Sequence, residues 1–315
     1  MTSTFIKAAE VWLPSNDGTL LEFGSGAFGA ARRFAAISRE MCFGRGEGLP
    51  GRAWDEGRPI LLPRFEGSNF RRNSAAREAG LSCAVALPLF VRGSLTSVLV
   101  IFCGHEAAMG GCLELWHHDA RMTSDMTLVD GAFGADAQPF EAASRETYLP
   151  RGVGLPGLAW QRGEAVFLEN LPASPRHFLR AQEAADAGLL RGLAIPAGSR
   201  LADSHVVTFL AGPTLPLARR IERWVPDFSG GLLRRAFSFS ELHGGFSHTE
   251  AALALSAPMG SIARAWLTGT PAINDWPASE PGAPAAYATS IGAWALLALP
   301  VVWEGEVVEV VALYL

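Results

Sequence analysis

Short stretches of alternating apolar and polar residues follow one another along this chain, and they fall in the same order three times. Residues 9–13 (AEVWL), 112–116 (CLELW) and 221–225 (IERWV) each carry a Trp in a strand-like pattern. Polar turns follow them (SNDG, HHDARMTSD, PDFSGG), then second apolar runs at 20–23, 126–129 and 232–237, so each pair predicts a hairpin. Gly-Leu-Pro-Gly-x-Ala-Trp at 48–54 and 154–160 predicts a helix start, because a first turn has no use for the N–H that proline lacks. Gly57, Gly163 and Gly269 are placed to close this short helix. Apolar runs at 59–62, 165–168 and 272–274 predict buried strands. Ala-rich segments at 71–79 and 179–187 predict a second helix, and the third equivalent, PGAPAAYATS, a poorer one. Strand pairs at 83–91 with 95–102, 193–197 with 205–210 and 295–302 with 306–315 finish the units. The order is β-β-α-β-α-β-β, an α+β module with a mostly antiparallel sheet and helices on one face.

The wording repeats as well as the pattern. GAFGA at 26–30 recurs at 131–135, SRE at 38–40 recurs at 144–146, and RGxGLPGxAW at 45–54 recurs at 151–160. Trp266, within ARAWLTGTPA, continues the spacing of Trp54 and Trp160. A fixed period of this length sets the architecture. Three tandem modules are predicted, at 1–106, 107–213 and 214–315, the third degenerate. Each is close to the size of a common single domain.

Composition narrows the class. Apolar residues at 49% and charged residues at 18% describe a buried core and exclude a disordered chain. Lys and Arg (26) are fewer than Asp and Glu (31) and are scattered, which argues against a nucleic-acid surface. No apolar run approaches the roughly 20 residues of a membrane-spanning helix, and the first residues form no signal segment. The expectation is a cytoplasmic protein without membrane contact. Cys42, Cys83, Cys103 and Cys112 lack metal-type spacing and read as buried free thiols.

Several of these motifs resemble those of the GAF domain: Glu10 and Trp12, residues 46–54, 79–81 and Pro88 in the first copy, and Glu114 and Trp116, 152–160, 187–189 and Pro196 in the second. The third copy keeps Trp224, Gly260, Trp266 and Pro300. The resemblance implies three tandem GAF-like modules with a pocket between sheet and helices for small molecules. GAF modules usually carry flanking helices over the back of the sheet, and the stretches at 104–111 and 211–220 are too short for them. The modules are therefore expected to pack sheet against sheet, or the protein to self-associate.

Candidate binding residues follow from the same repeats. Arg45, Gly46 and Gly48, with Arg151, Gly152 and Gly154, stand before a helix whose free N–H groups favour an anion. Glycines there permit close backbone approach. Phe70 with Arg72, and Phe178 with Arg180, open the Ala-rich helix, where the resemblance implies a pocket lid. The third copy has Ala257 at the arginine position and neither lid residue, so no anion site is expected in it. Trp54, Trp160 and Trp266 read as packing. Cys42 faces Tyr148 in the second copy, and neither bilin-attachment runs nor the cysteine set of the sulfoxide-reducing GAF branch is recognisable. His117, His118 and Asp119 are consecutive and point alternately in a strand, so they read as no metal site; His243 and His248 flank a GGF turn. No nucleophile, base and orienting group assemble in the sequence. The expected function is non-catalytic: a sensory or regulatory protein binding a small molecule or partner protein, without cofactor or metal, whose output passes through a separate effector or a change of assembly. The alternatives are an interaction scaffold whose pockets are filled by its own side chains, and a haem- or bilin-binding sensor.

Overall fold

A computed structural model describes residues 3–315 other than 69, 105–109, 201–202, 228–230, 244, 247–250 and 257. The candidate positions His248 and Ala257 lie outside the described residues. Module 1 runs β1 (Ile6–Pro14), β2 (Leu20–Ala27), α1 (Arg32–Arg39), β3 (Cys42–Gly44), α2 (Gly48–Glu56), β4 (Ile60–Leu62), α3 (Asn73–Glu78), β5 (Cys83–Val91) and β6 (Ser94–Cys103). Its sheet is antiparallel in the order β3-β2-β1-β6-β5-β4. Module 2 repeats this with β7 (Cys112–Asp119), β8 (Met126–Ala132), α4 (Gln138–Glu146), β9 (Tyr148–Leu149), α5 (Gly154–Arg162), β10 (Val166–Leu168), α6 (Ala181–Asp186), β11 (Arg191–Arg200) and β12 (Asp203–Ala211). Module 3 comprises β13 (Arg220–Asp227), β14 (Leu232–Ser240), β15 (Gly245–Phe246), β16 (Ala252–Ala254), α7 (Ser261–Thr268), β17 (Ala272–Asn274), α8 (Ala283–Ile291), β18 (Leu296–Trp303) and β19 (Glu306–Tyr314).

Two features depart from the sequence expectation. Modules 1 and 2 contain an additional helix, α1 or α4, whose buried face is Phe34, Ala35 and Ser38 or Phe140 and Ser144. The repeated SRE text lies on it. With two or three buried residues in eight or nine, this face is too short to stand out by periodicity. Conversely, α8 spans nine residues where α3 and α6 span six. Its Pro284 sits in the first turn and Gly292 ends it in the left-handed conformation, so capping outweighs the unpromising composition.

Each sheet has two buried faces. The face under the helices forms a private core, with Trp12, Phe34 and Phe102 in module 1, Trp116, Phe140 and Phe178 in module 2, and Trp224 and Tyr314 in module 3. The opposite faces share one core. Val11, Val85 and Ile101 of module 1 meet Leu115, Ile195 and Val207 of module 2 and Leu299, Val311 and Leu313 of module 3. Sheet-to-sheet packing of the modules, expected from the missing back-face cover, is thus what closes the molecule.

The modules meet in a ring. The β5–β6 turn of module 1 rests on module 3: Arg92 N–H donates to Gly305 O (2.8 Å) and Thr96 Oγ1 to Gly269 O (2.8 Å). The equivalent turn of module 3 rests on module 2. There a Cβ on Gly163 would lie 2.6 Å from Trp303 Cδ1, just as one on Gly269 would lie 2.5 Å from Val91 Cγ2. These glycines close the helices α5 and α7 at positive φ and also make room for the neighbouring module. A polar clamp joins modules 2 and 3: buried Glu309 accepts from Arg223 Nε (2.7 Å) and from the Ala165 N–H (2.5 Å), while Arg223 Nη2 reaches Glu164 (2.7 Å). Burial pushes the Glu309 carboxyl up, against the opposing pull of Arg223. Pro88, Pro196 and Pro300, at equivalent strand positions, converge where the three sheets meet.

Candidate functional site

The centre of each helix-covered core holds one carboxylate. In module 1 it is Glu10, fully buried on β1. Trp12 Nε1 donates to Glu10 Oε2 (3.1 Å), and the Arg72 guanidinium takes both oxygens, with Nη2 to Oε2 at 3.1 Å. Arg72 Nη1 also bonds Ser38 Oγ, and Ser38 in turn donates to Phe34 O (2.8 Å). Rings of Phe34, Phe70 and Phe102 pack against the guanidinium at 4.4, 5.2 and 5.4 Å. Module 2 repeats the arrangement with Glu114, Trp116, Ser144 and Arg180, flanked by Phe140 and Phe178. Two charges removed from water are tolerable because both carboxylate oxygens and both terminal guanidinium nitrogens find partners.

Module 3 keeps the carboxylate, Glu222, and the indole, Trp224 (3.0 Å), but has no arginine on the equivalent loop. Two others replace it: Arg220 on the same strand (Nε to Oε1, 2.6 Å) and Arg235 on β14 (Nη1 to Oε1, 3.1 Å). Tyr314 OH donates to Oε2 at 3.0 Å, and the Tyr287 ring of α8 stacks on both guanidinia at 4.1 and 4.9 Å. Glu-x-Trp therefore marks a buried carboxylate that must recruit a cation, which a single copy of the sequence does not reveal.

The sequence-derived candidates divide accordingly. Arg72 and Arg180, with Phe178, are buried in these networks, while Phe70 is half-buried at the edge of its own. Arg45 and Arg151 turn away from the helix start. Arg45 lies over Trp54 (5.2 Å) and near Asp55 (3.8 Å); Arg151 lies over Trp160 (5.9 Å) and reaches Gln161 O (3.5 Å). The glycine turn closes on itself: Gly46 N–H donates to Gly51 O and Gly152 N–H to Gly157 O, both at 2.8 Å. A Cβ on Gly51 would fall 2.0 Å from Gly44 O, and one on Gly157 2.6 Å from Pro150 O. Close backbone approach explains Gly51 and Gly157, and the positive φ of the turn explains Gly46, Gly48, Gly152 and Gly154.

In module 1 the helix start and the loop before α3 stand apart and leave a cleft of about 620 Å³. Its walls include Gly46, Gly48, Phe70 and Arg72 of the candidate set. Apolar walls come from Met41, Phe43, Leu49 and Leu62; the polar ones are Glu47, Arg52, Ser68 and Arg71. Arg71 pairs with Glu47 (3.1 Å) and Arg52 with Glu56 (3.6 Å), both at the surface. A smaller opening of about 260 Å³ lies in module 3 beside Gly260, Ile262 and Glu280. Glu280 accepts from the Ser261 N–H (2.8 Å) and from Asn274 (2.8 Å), filling the place at the helix start.

All four cysteines are free; Cys83, Cys103 and Cys112 are buried, and Cys42, against expectation, is exposed on β3. Burial raises the Cys103 and Cys112 thiols and keeps them protonated, hence weakly nucleophilic. His118 turns to the helix side and packs at a tilt on Trp160 (4.2 Å), while His117 stacks on His205 (4.3 Å) on the opposite face. Exposed His243 contacts Ser240 Oγ at 3.2 Å. Burial depresses His205 from 6.5 to about 3, helped by the charges of His117 and Arg58. A histidine neutral in the folded state and protonated when unfolded contributes stability that is complete above about pH 6.5 and lost as pH falls towards 3. His205→Gln is expected to remove a slope of about 1.4 kcal/mol per pH unit from the unfolding free energy between pH 6 and 4. Urea titrations of both proteins across that range would refute this if the slopes were equal.

No protein-family model matches the sequence, and no curated protein does. Among solved structures, the chain is similar to the GAF domain of Aquifex aeolicus nlh2 in an inactive state (19% identity over 32% of this chain and 59% of that one, TM-score 0.26). It is also similar to a GAF domain/HD domain protein of Geobacter sulfurreducens (14%, 31% and 63%, TM-score 0.26). A third is fRMsr of Staphylococcus aureus, an enzyme solved with its substrate (18%, 31% and 56%, TM-score 0.25). Each match spans about one module, and the chain covers between 56% and 63% of the length of these structures. The antiparallel sheets with helices on one face, those of modules 2 and 3 joined by a single parallel bridge between β11 and β18, are consistent with three tandem GAF-like modules. No helix among the described residues is long and apolar enough to cross a membrane.

Proposed function

We propose that this protein is a non-catalytic sensory or regulatory protein that takes a small molecule into the module 1 cleft. The carrying observation is the convergence there of Gly46, Gly48, Phe70 and Arg72 around about 620 Å³ with an apolar wall and two surface arginines. Such a mixed lining suits a ligand with an apolar body and an anionic group. Arg52 and Arg71 would supply the charge, since Arg72 is held by Glu10. Modules 2 and 3 serve mainly as the frame, and the output passes to a separate partner or to a change of assembly. A second reading, an interaction scaffold, is favoured by Arg180 and Phe178 filling the interior of module 2.

Thermal-shift screening of small carboxylates, phosphates and nucleotides separates the two. A ligand-dependent rise in Tm that Leu62→Trp abolishes, by blocking the cleft, supports the sensor reading. Absence of any shift across the library, or shifts indifferent to Leu62→Trp, favours the scaffold.

A further inference from the structure

On the back of module 2, at the rim of the shared core, two strands bring together three groups that are far apart in sequence. His117 on β7 stands directly opposite His205 on β12, and Asp203 lies two residues before His205 on the same face. One ligating atom from each lies within 4.8 Å of the other two. His117 Nε2 is 2.6 Å from Asp203 Oδ1, and the two imidazoles are stacked with ring centres 4.3 Å apart. We propose that His117, Asp203 and His205 bind a divalent transition-metal ion of the zinc class, distinct in place and chemistry from the module 1 cleft.

Two features support the assignment. The donor set of two imidazoles and one carboxylate suits zinc and its neighbours rather than magnesium or calcium. The His205 ring is 3% exposed, and no hydrogen bond to either of its nitrogens is made among the described residues.

Tetrahedral ligand atoms stand about 3.3 Å apart at zinc bond lengths of about 2.0–2.1 Å, so modest rotation of the rings from their stacked pose completes the site. Asp203 and His117 lie partly in solvent and are free to turn. Binding replaces the His117–Asp203 hydrogen bond, and any proton on His117 passes to water. Asp119 faces Asp203 in the register, but Arg121 holds both its oxygens (2.9 and 2.6 Å), which leaves the fourth position to water. Arg58 of module 1, whose charge reaches His205, is itself paired with Glu56 and opposes the ion only weakly.

The test is zinc titration of the tag-free, chelator-treated full chain by calorimetry, with metal analysis after gel filtration and the visible spectrum of the cobalt-loaded protein. One Zn²⁺ per chain is expected, with a rise in Tm. Asp203→Asn and His117→Gln should each weaken binding by at least about tenfold, while Cys42→Ser and His243→Gln leave it unchanged. Circular dichroism of the metal-free variants establishes that they fold. Should His117→Gln fail to fold, the exposed Asp203→Asn and its cobalt spectrum decide alone. Failure of the wild-type chain to take up zinc overturns the site, as does uptake insensitive to Asp203→Asn or lost in Cys42→Ser.

Discussion

Arg72→Leu is expected to lower the unfolding free energy by about 3–5 kcal/mol, because it strands the Glu10 carboxylate in an apolar core. Glu10 is fully buried, and its remaining partner would be the Trp12 indole at 3.1 Å. Glu10→Met combined with Arg72→Leu should recover much of that loss, since the cost lies in the unpaired charge more than in the pair's own contribution. Arg180→Leu should behave alike in module 2, where Glu114 is held in the same way. In module 3, Arg220→Leu should cost less, because Arg235 and Tyr314 stay on Glu222. Urea denaturation of the five proteins, wild type included, measures this. A loss below about 1 kcal/mol for Arg72→Leu, or a double variant weaker than the single one, would show that solvent reaches Glu10.

The second large effect concerns the modules as units. Residues 1–106 expressed alone are expected to associate or aggregate rather than persist as a folded monomer. Excision would bare Val11, Val85, Leu87, Leu99 and Ile101, all of them 4% exposed or less in the intact chain. A contiguous apolar face beyond a few hundred Å² is rarely left in water. The whole chain, by contrast, should unfold in one cooperative transition, since its central core belongs to all three modules. Light scattering on the excised module and calorimetry on the full chain check both statements. A monodisperse, cooperatively folding module 1 would mean that the shared core adds little.

Much of the fold was legible because repetition amplifies weak signals. The Glu-x-Trp strands, the glycine-proline helix start and its closing glycines occur at corresponding places, and all became strands, helices and left-handed caps where expected. The extra helices α1 and α4 were not legible: only Phe34, Ala35 and Ser38, or Phe140 and Ser144, define their buried face. The candidate residues mixed two roles. Gly46, Gly48, Phe70 and Arg72 do gather around one cleft, yet Arg72 also carries the buried ion pair, a partnership between positions 62 apart. His117 and His118, neighbours along β7, do turn to opposite faces of the sheet. His117 instead gathers with Asp203 and His205, which strand pairing alone brings beside it.

The sequence by itself determined the local and repeated features: three modules, their strand and helix order, and the turns that glycine and proline impose through backbone sterics. That each module's back face needed cover followed from the GAF resemblance, because the stretches at 104–111 and 211–220 leave no room for the flanking helices usual in that family. Tertiary structure alone decided what supplied the cover, namely the other two sheets, and which arginine neutralised each buried glutamate. The physical reason is range. Backbone preference and periodicity act over a few residues, whereas burial, charge pairing and ligand geometry depend on groups brought together from distant positions.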